Sequence, residues 1–313
     1  MPLPLLSLNL VNGRLELDGG GCAFRALQDQ LDILPPNAPI VMCIHGYKFS
    51  PVRKAVSPHQ HIVALNPTKS CWKAMSWPRH LGFGRGIDNE GLCIALGWSA
   101  RGSIWNAFAA AQEVGDAAAE LIAAAERPVY LVGHSLGARV ALRAIAASKS
   151  GSVRRAILLA AADFKSNALE ALESPAGQTT DIINITSREN DLFDALLEAL
   201  IGKAGKADIA LGAGLGGAAP NWVDVQIDDP VCLQQLRELG FRIAAPSRRI
   251  CHWSAYIRPG IFAFYSDLIR APEMLPIDVL RQKIPQQTAP RWSRLIARPN
   301  IHISLPFMRK AAL

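Results

Sequence analysis

The feature that most constrains this chain is the run Val129-Tyr130-Leu131-Val132, followed at once by Gly133-His134-Ser135-Leu136-Gly137 and a helix-forming stretch from Ala138 to Ala147. Four apolar residues after Pro128, rich in β-branched and aromatic types, read as a fully buried parallel strand. Strand, Gly-x-Ser-x-Gly and helix in that order describe a sharp strand-to-helix turn that presents a serine at the sheet edge. The residue types follow from sterics. Ser135 needs a turn too tight for large neighbours, and Gly133 and Gly137 remove the Cβ atoms that would collide. The helix that follows aims its free N–H groups and positive dipole end at the same point. Ser135 is the candidate nucleophile. The bland alternative is a glycine-rich turn with an incidental serine.

The surrounding pattern repeats strand and helix. Leu6, Leu8 and Leu10 alternate with polar residues, as do Leu15 and Leu17, and Asn12-Gly13 between them signals a hairpin with a type I′ turn. A short amphipathic helix over 24–33 precedes a buried strand over 40–44 that ends at His45-Gly46-Tyr47. Strands are expected over 92–98, 155–160, 181–186 and 223–227, and helices over 104–125, 167–172, 192–200, 231–239 and 260–269. This alternation predicts an α/β fold, a mostly parallel central sheet with helices on both faces and an N-terminal β-hairpin. Right-handed crossovers then bring the strand C-termini to one edge, where sites in such sheets lie. Residues 1–270 read as one domain with insertions over the strand ends at about 48–91 and 195–251. Residues 271–313 read as a Pro-containing basic tail packed on it.

Composition narrows the function classes. No apolar run approaches the ~20 residues a spanning helix needs, and the N-terminus lacks the basic region of a signal peptide. Six cysteines without CxxC spacing point to a reduced, cytoplasmic protein without structural zinc. His59, His61 and His80 lack a carboxylate or cysteine at ligand spacing, so no metal is expected. The formal charge of +7 comes mostly from Arg270, Arg281, Lys283, Arg291, Arg294, Arg298, Arg309 and Lys310. These are spread among Pro and apolar residues, which favours a solvated surface. Peripheral contact with an anionic surface is open to such a tail, and no nucleic acid is expected. Gly212-x-Gly214-x-x-Gly217 matches a dinucleotide fingerprint only formally, because Pro220 blocks the helix that would hold a pyrophosphate. It reads as a mobile loop near the site. Asn184-Ile185-Thr186 is a sequon inside an expected buried strand and carries no information.

From about residue 39 to 269 the chain resembles the α/β-hydrolase superfamily of serine hydrolases, esterases and lipases among them. The elbow at Ser135 carries the resemblance, with His45-Gly46-Tyr47 after an early strand and the order serine, acid, histidine. The resemblance implies a carboxylic ester or thioester hydrolase that forms an acyl-enzyme on Ser135 and uses no cofactor. Its partner would be a small-molecule acyl ester. The backbone N–H groups of Leu136 and Tyr47 would form the oxyanion hole. His252 and His302 both follow the elbow and an acid; His252, after an apolar run and before a helix, is the expected general base. Asp191, in the ITSRENDLFD segment, is the expected orienting acid, with Glu189, Asp194 and Asp163 as alternatives. Asp191 could equally cap the helix that follows. A catalytically silent scaffold that binds a ligand or partner, and an acyltransferase on the same triad, are the competing functions.

Overall fold

The computed structural model describes residues 3–68, 71–87, 89–202 and 208–296. Eight strands form one sheet: β1 (Leu5–Val11), β2 (Arg14–Leu17), β3 (Ile40–Ile44), β4 (Leu92–Gly97), β5 (Val129–His134), β6 (Val153–Leu159), β7 (Asp181–Thr186) and β8 (Trp222–Gln226). Their order across the sheet is β2-β1-β4-β3-β5-β6-β7-β8. Only β2 runs antiparallel, joined to β1 through Asn12 and Gly13 at φ 48° and 75°, the two positive values a type I′ turn requires. The remaining pairings are parallel, so β1 and β3–β8 end along one edge.

Alternation along the buried strands divides the core. Ile40, Met42 and Ile44 of β3, with Ile94 and Leu96 of β4, face one side. There they meet Leu27 of α1 (Ala23–Leu31), Ala111 and Leu121 of α3 (Ile104–Ala125), Val140 of α4 (Leu136–Ala146) and Ala168 of α5 (Lys165–Glu173). Val41 and Cys43 of β3, with Cys93 and Ala95 of β4, face the other side, against Trp77 of α2 (Trp77–His80), Leu236 of α7 (Pro230–Glu238), Tyr256 of α8 (Ser254–Ile257) and Phe264 of α9 (Ile261–Arg270). Between α5 and α7 lies α6 (Asp191–Ile201). Strands buried on both faces read as unbroken apolar runs for this reason. Each fully buried aliphatic or aromatic side chain adds about 1.5–3 kcal/mol to the hydrophobic driving force.

Two further segments pack onto this body. Residues 48–91 insert Ile62, Val63, Trp77, Leu81 and Phe83 into the second core. His59 Nε2 meets Asn9 Oδ1 of β1 at 2.7 Å, against Gly97 of β4. Beyond α9, the described part of the C-terminal segment is tied to the domain. Arg281 donates to the Trp222 carbonyl at 2.6 Å, Arg291 pairs with Glu198 at 2.9 Å, and Arg294 donates to the Arg248 carbonyl at 2.7 Å. These three cations are therefore held by the body, not left as free solvated charge. His302, Arg298, Arg309 and Lys310 lie outside the described residues.

Candidate active site

Ser135 follows β5 at φ 56° and ψ −122°, a conformation L-residues rarely adopt and one that costs about 1–3 kcal/mol. Three main-chain bonds hold it there. Its N–H donates to Leu159 of β6 at 3.0 Å, and its carbonyl accepts from Ala138 at 3.0 Å and Ala162 at 3.1 Å. The glycines around it sit where a Cβ has no room. A Cβ on Gly133 would stand 2.4 Å from the Gly137 carbonyl, and one on Gly137 would stand 2.2 Å from the Ile44 carbonyl. The elbow thus packs against the end of β3 as well as on itself.

The loop leaving β3 crosses directly over the serine. A Cβ on Gly46 would lie 2.7 Å from both the His134 carbonyl and Ser135 Cβ, and 3.3 Å from Ser135 Oγ. His45 anchors this loop from inside. It is fully buried, and its Nδ1 donates to the Gly46 carbonyl at 2.9 Å while Nε2 accepts from the Trp98 N–H at 3.0 Å. Burial pushes its pKa down to about 3, so the ring is a neutral brace. Among the described residues, the N–H groups of Tyr47 and Leu136 make no hydrogen bond to the protein. Two unpaired donors beside a serine hydroxyl are what a developing oxyanion would need.

His252 arrives on the loop before α8, fixed by the Cys251 N–H donating to the Glu189 carbonyl at 2.8 Å. Its ring stacks on Phe193 at 4.7 Å. Nδ1 lies 2.6 Å from Asn190 Oδ1, so Nδ1 carries the proton and Nε2 is left as the basic nitrogen. Burial, then His134 and Lys73, push the His252 pKa well below the usual histidine value. Asn190 in turn donates from Nδ2 to Asp194 Oδ1 at 2.9 Å. Ser135, His134, Asn190, Asp194 and His252 line one cavity of about 840 Å³. Its walls include Phe49, Trp105, Phe193, Leu196, Leu197 and Trp253, with Lys48, Lys54 and Lys73 also lining it.

In this geometry the expected acid does not meet His252. Asp191, fully buried, pairs with Arg188 at 3.0 Å through Oδ1 and accepts the Trp292 N–H at 2.6 Å through Oδ2. Both oxygens are taken up away from His252, and the side chain against the imidazole is the neutral amide of Asn190. Nor does Asp191 cap α6, whose N-cap residue is Asn190 without a side-chain cap bond. Glu189 is bonded to Ser187 and Arg258. Asp163 is sequestered by Arg139 at 2.7 Å, Asn167 at 2.6 Å and the Phe164 N–H at 2.9 Å. Asn190 escaped sequence reading because an amide is not an acid. The available signal was its spacing of four from Asp194 at a helix start, which puts both side chains on one face.

The 212–217 glycines are tied to the body of the domain by main-chain donors. Leu215 and Gly216 donate to Asp224 Oδ2 at 2.7 and 3.0 Å, so the loop wraps a carboxylate of its own chain. Asn184 is buried in β7 and donates to Leu211 at 3.0 Å and Asp224 at 2.8 Å. Among the described residues no His, Cys, Asp and Glu cluster could hold a metal ion, and no helix is long and apolar enough to cross a membrane.

A parallel sheet with a serine elbow after β5, a donor loop after β3 and a histidine after β8 defines the class of protein. Residues 41–309 match the model of the Alpha/beta hydrolase family, and the chain belongs to it. No curated protein is significantly similar to it in sequence.

Proposed function

We propose that this protein is a serine hydrolase that cleaves a carboxylic ester or thioester with an apolar acyl group. The observation that carries the reading is the 2.6 Å bond from His252 Nδ1 to Asn190 Oδ1. It leaves Nε2 unprotonated in the cavity that also holds Ser135.

Ser135 Oγ attacks the acyl carbonyl as its proton passes to His252 Nε2. The carbonyl π pair moves onto oxygen, where the Tyr47 and Leu136 N–H groups receive it. Collapse expels the alcohol or thiol, which takes the proton from Nε2. Water then attacks the acyl-enzyme with His252 again as base, releasing acid and restoring Ser135. Asn190 orients the ring as an asparagine does in papain-like proteases. Working hydrogen bonds between such a serine and histidine commonly shorten only when substrate is bound. Phe193, Leu196, Leu197 and Trp105 offer the acyl chain an apolar wall.

A fluorophosphonate probe should label Ser135, and Ser135→Ala and His252→Ala should abolish hydrolysis of p-nitrophenyl acyl esters. A native protein that neither labels nor turns over any of a series of short to medium acyl esters sinks the hydrolase reading and leaves a binding scaffold. Acyl transfer to an added alcohol in preference to water would make it a transferase.

A further inference from the structure

Behind Asn190 stands a carboxylate that the proposed chemistry does not use. Asp194 is buried, and its bond to Asn190 at 2.9 Å is the only hydrogen bond its side chain makes among the described residues. Its second oxygen is buried without a partner. The Gly212 backbone presses on that oxygen so closely that a Cβ there would stand 1.9 Å away. Nor is it an ion pair. The cations that face it are committed elsewhere, Arg188 to Asp191 and Arg291 to Glu198. A buried carboxylate with one oxygen unsatisfied costs stability, and a structural role would be better filled by an apolar or amide side chain.

An asparagine amide has nearly the same shape after a half-turn about its Cβ–Cγ bond, so packing alone does not choose its orientation. Hydrogen-bond chemistry does. An ionised carboxylate accepts and never donates, so it draws Nδ2 toward itself and turns Oδ1 toward His252. The reversed amide would set Oδ1 against the carboxylate. It would also point N–H groups at His252 Nδ1, which would move the imidazole proton to Nε2 and remove the base.

On the reading that Ser135 and His252 are the reacting pair, we propose that Asp194 is a positioning residue. Its carboxylate holds the Asn190 amide in the orientation that keeps the His252 proton on Nδ1. Neither Asn190 nor Asp194 gains or loses a proton during turnover. The charge of an orienting aspartate is set one residue further from the histidine than the family pattern implied.

The carboxylate also makes the arrangement sensitive to pH. Burial, opposed by Arg188 and Arg291 and aided by Asp191 and Glu198 on α6, holds the Asp194 pKa at about 7. Below that pH the bond to Asn190 loses its charge assistance and is roughly halved in strength. Activity should fall as pH drops through about 7. The limb belonging to His252 itself lies lower, because that ring is held neutral well below the usual histidine value.

The test uses the rate of fluorophosphonate labelling across pH 5–9, which needs no knowledge of the natural substrate. Asp194→Asn should label about ten- to a hundredfold more slowly, as when the group behind a working metal-site histidine is lost, and should lack the limb near pH 7. The exchanged pair Asn190→Asp with Asp194→Asn puts a carboxylate directly on His252 and should recover most of the rate. In wild type, ¹⁵N-histidine NMR should show the His252 proton on Nδ1, a readout that does not depend on the variants folding. Equal rates and equal pH limbs in wild type and Asp194→Asn would overturn this inference alone; an Nε2–H tautomer in wild type would overturn it together with the hydrolase reading. A wild-type protein that fails to label removes the hydrolase reading and this inference with it.

Discussion

The imidazole of His134, the residue just before the elbow serine, donates from Nε2 to the main-chain carbonyl of His252 at 3.0 Å, with the two rings 4.7 Å apart. The strand that carries Ser135 therefore also clamps the loop that carries the histidine. Removing the donor leaves that carbonyl without its partner, at a cost of about 1–3 kcal/mol where it is buried. His134→Ala should lower kcat by about tenfold with KM little changed, a loss of orientation in the reacting state. His134→Gln, which can still donate, should recover part of it. Wild-type kcat in His134→Ala would remove the clamp from the account.

Gly46 tests the donor loop. A methyl group there collides with the His134 carbonyl and with Ser135 Cβ, so the loop must move away from the elbow. Gly46→Ala should keep the fold and lose about a hundredfold or more in rate, the scale of removing one oxyanion donor. Steady-state kinetics beside a circular-dichroism melt separates the two effects. Unchanged turnover would mean that this loop does not bind the oxyanion.

Asp191 is expected to matter for stability and not for the tautomer of His252. Asp191→Ala leaves Arg188, itself buried, without its carboxylate. Breaking a buried pair from one side costs about 3–5 kcal/mol. Urea denaturation should show that loss, while His252 keeps its proton on Nδ1 by NMR. A shifted tautomer with unchanged stability would restore Asp191 to the role the sequence suggested.

Asp194 should show the opposite sign. Its pKa is about 7 in the folded chain against an ordinary aspartate value of 3.8, so folding takes up a proton between those values. Its contribution favours the fold below about pH 4 and is lost as pH rises toward 7. At pH 8 Asp194→Asn should be more stable than wild type, on the order of 2 kcal/mol, with the difference shrinking at pH 5. Thermal melts at the two pH values check this. A variant less stable than wild type at pH 8 would contradict it.

Buried histidines should make the protein acid-sensitive. Burial lowers the pKa of His45 to about 3 and of His134 to about 4, from 6.5. Their contribution is whole above pH 6.5 and is lost as pH falls from there toward those folded values. Between pH 6.5 and 4.5 the unfolding free energy should drop, and His45→Gln should flatten that slope by close to one proton. No change in slope would mean that His45 titrates alike in both states.

Much of the architecture was legible because its causes are local. An Asn-Gly turn fixes a hairpin by its φ angles, and a five-residue apolar run such as 40–44 can be satisfied only between two covering layers. The Ser135 elbow was legible for the same reason, since strand, glycines and helix lie within one short stretch. Element ends shifted by one or two residues where packing extended them: β5 runs on to His134 and α4 begins at Leu136.

The residue that His252 Nδ1 bonds was not legible in this way. ITSRENDLFD holds Glu189, Asn190, Asp191 and Asp194 within six residues, and side chains at a helix start leave the axis about 100° apart from one residue to the next. Which of them meets an imidazole 62 residues later depends on how α6 is rotated. That rotation is set by the pull of Arg188 and Trp292 on Asp191. The sequence by itself determined the sheet, the elbow and the serine it presents, because short-range sterics and periodicity decide those. Only the tertiary structure decided that Asn190 faces His252 and Asp194 stands behind it, because that choice was made by contacts between segments the chain order keeps far apart.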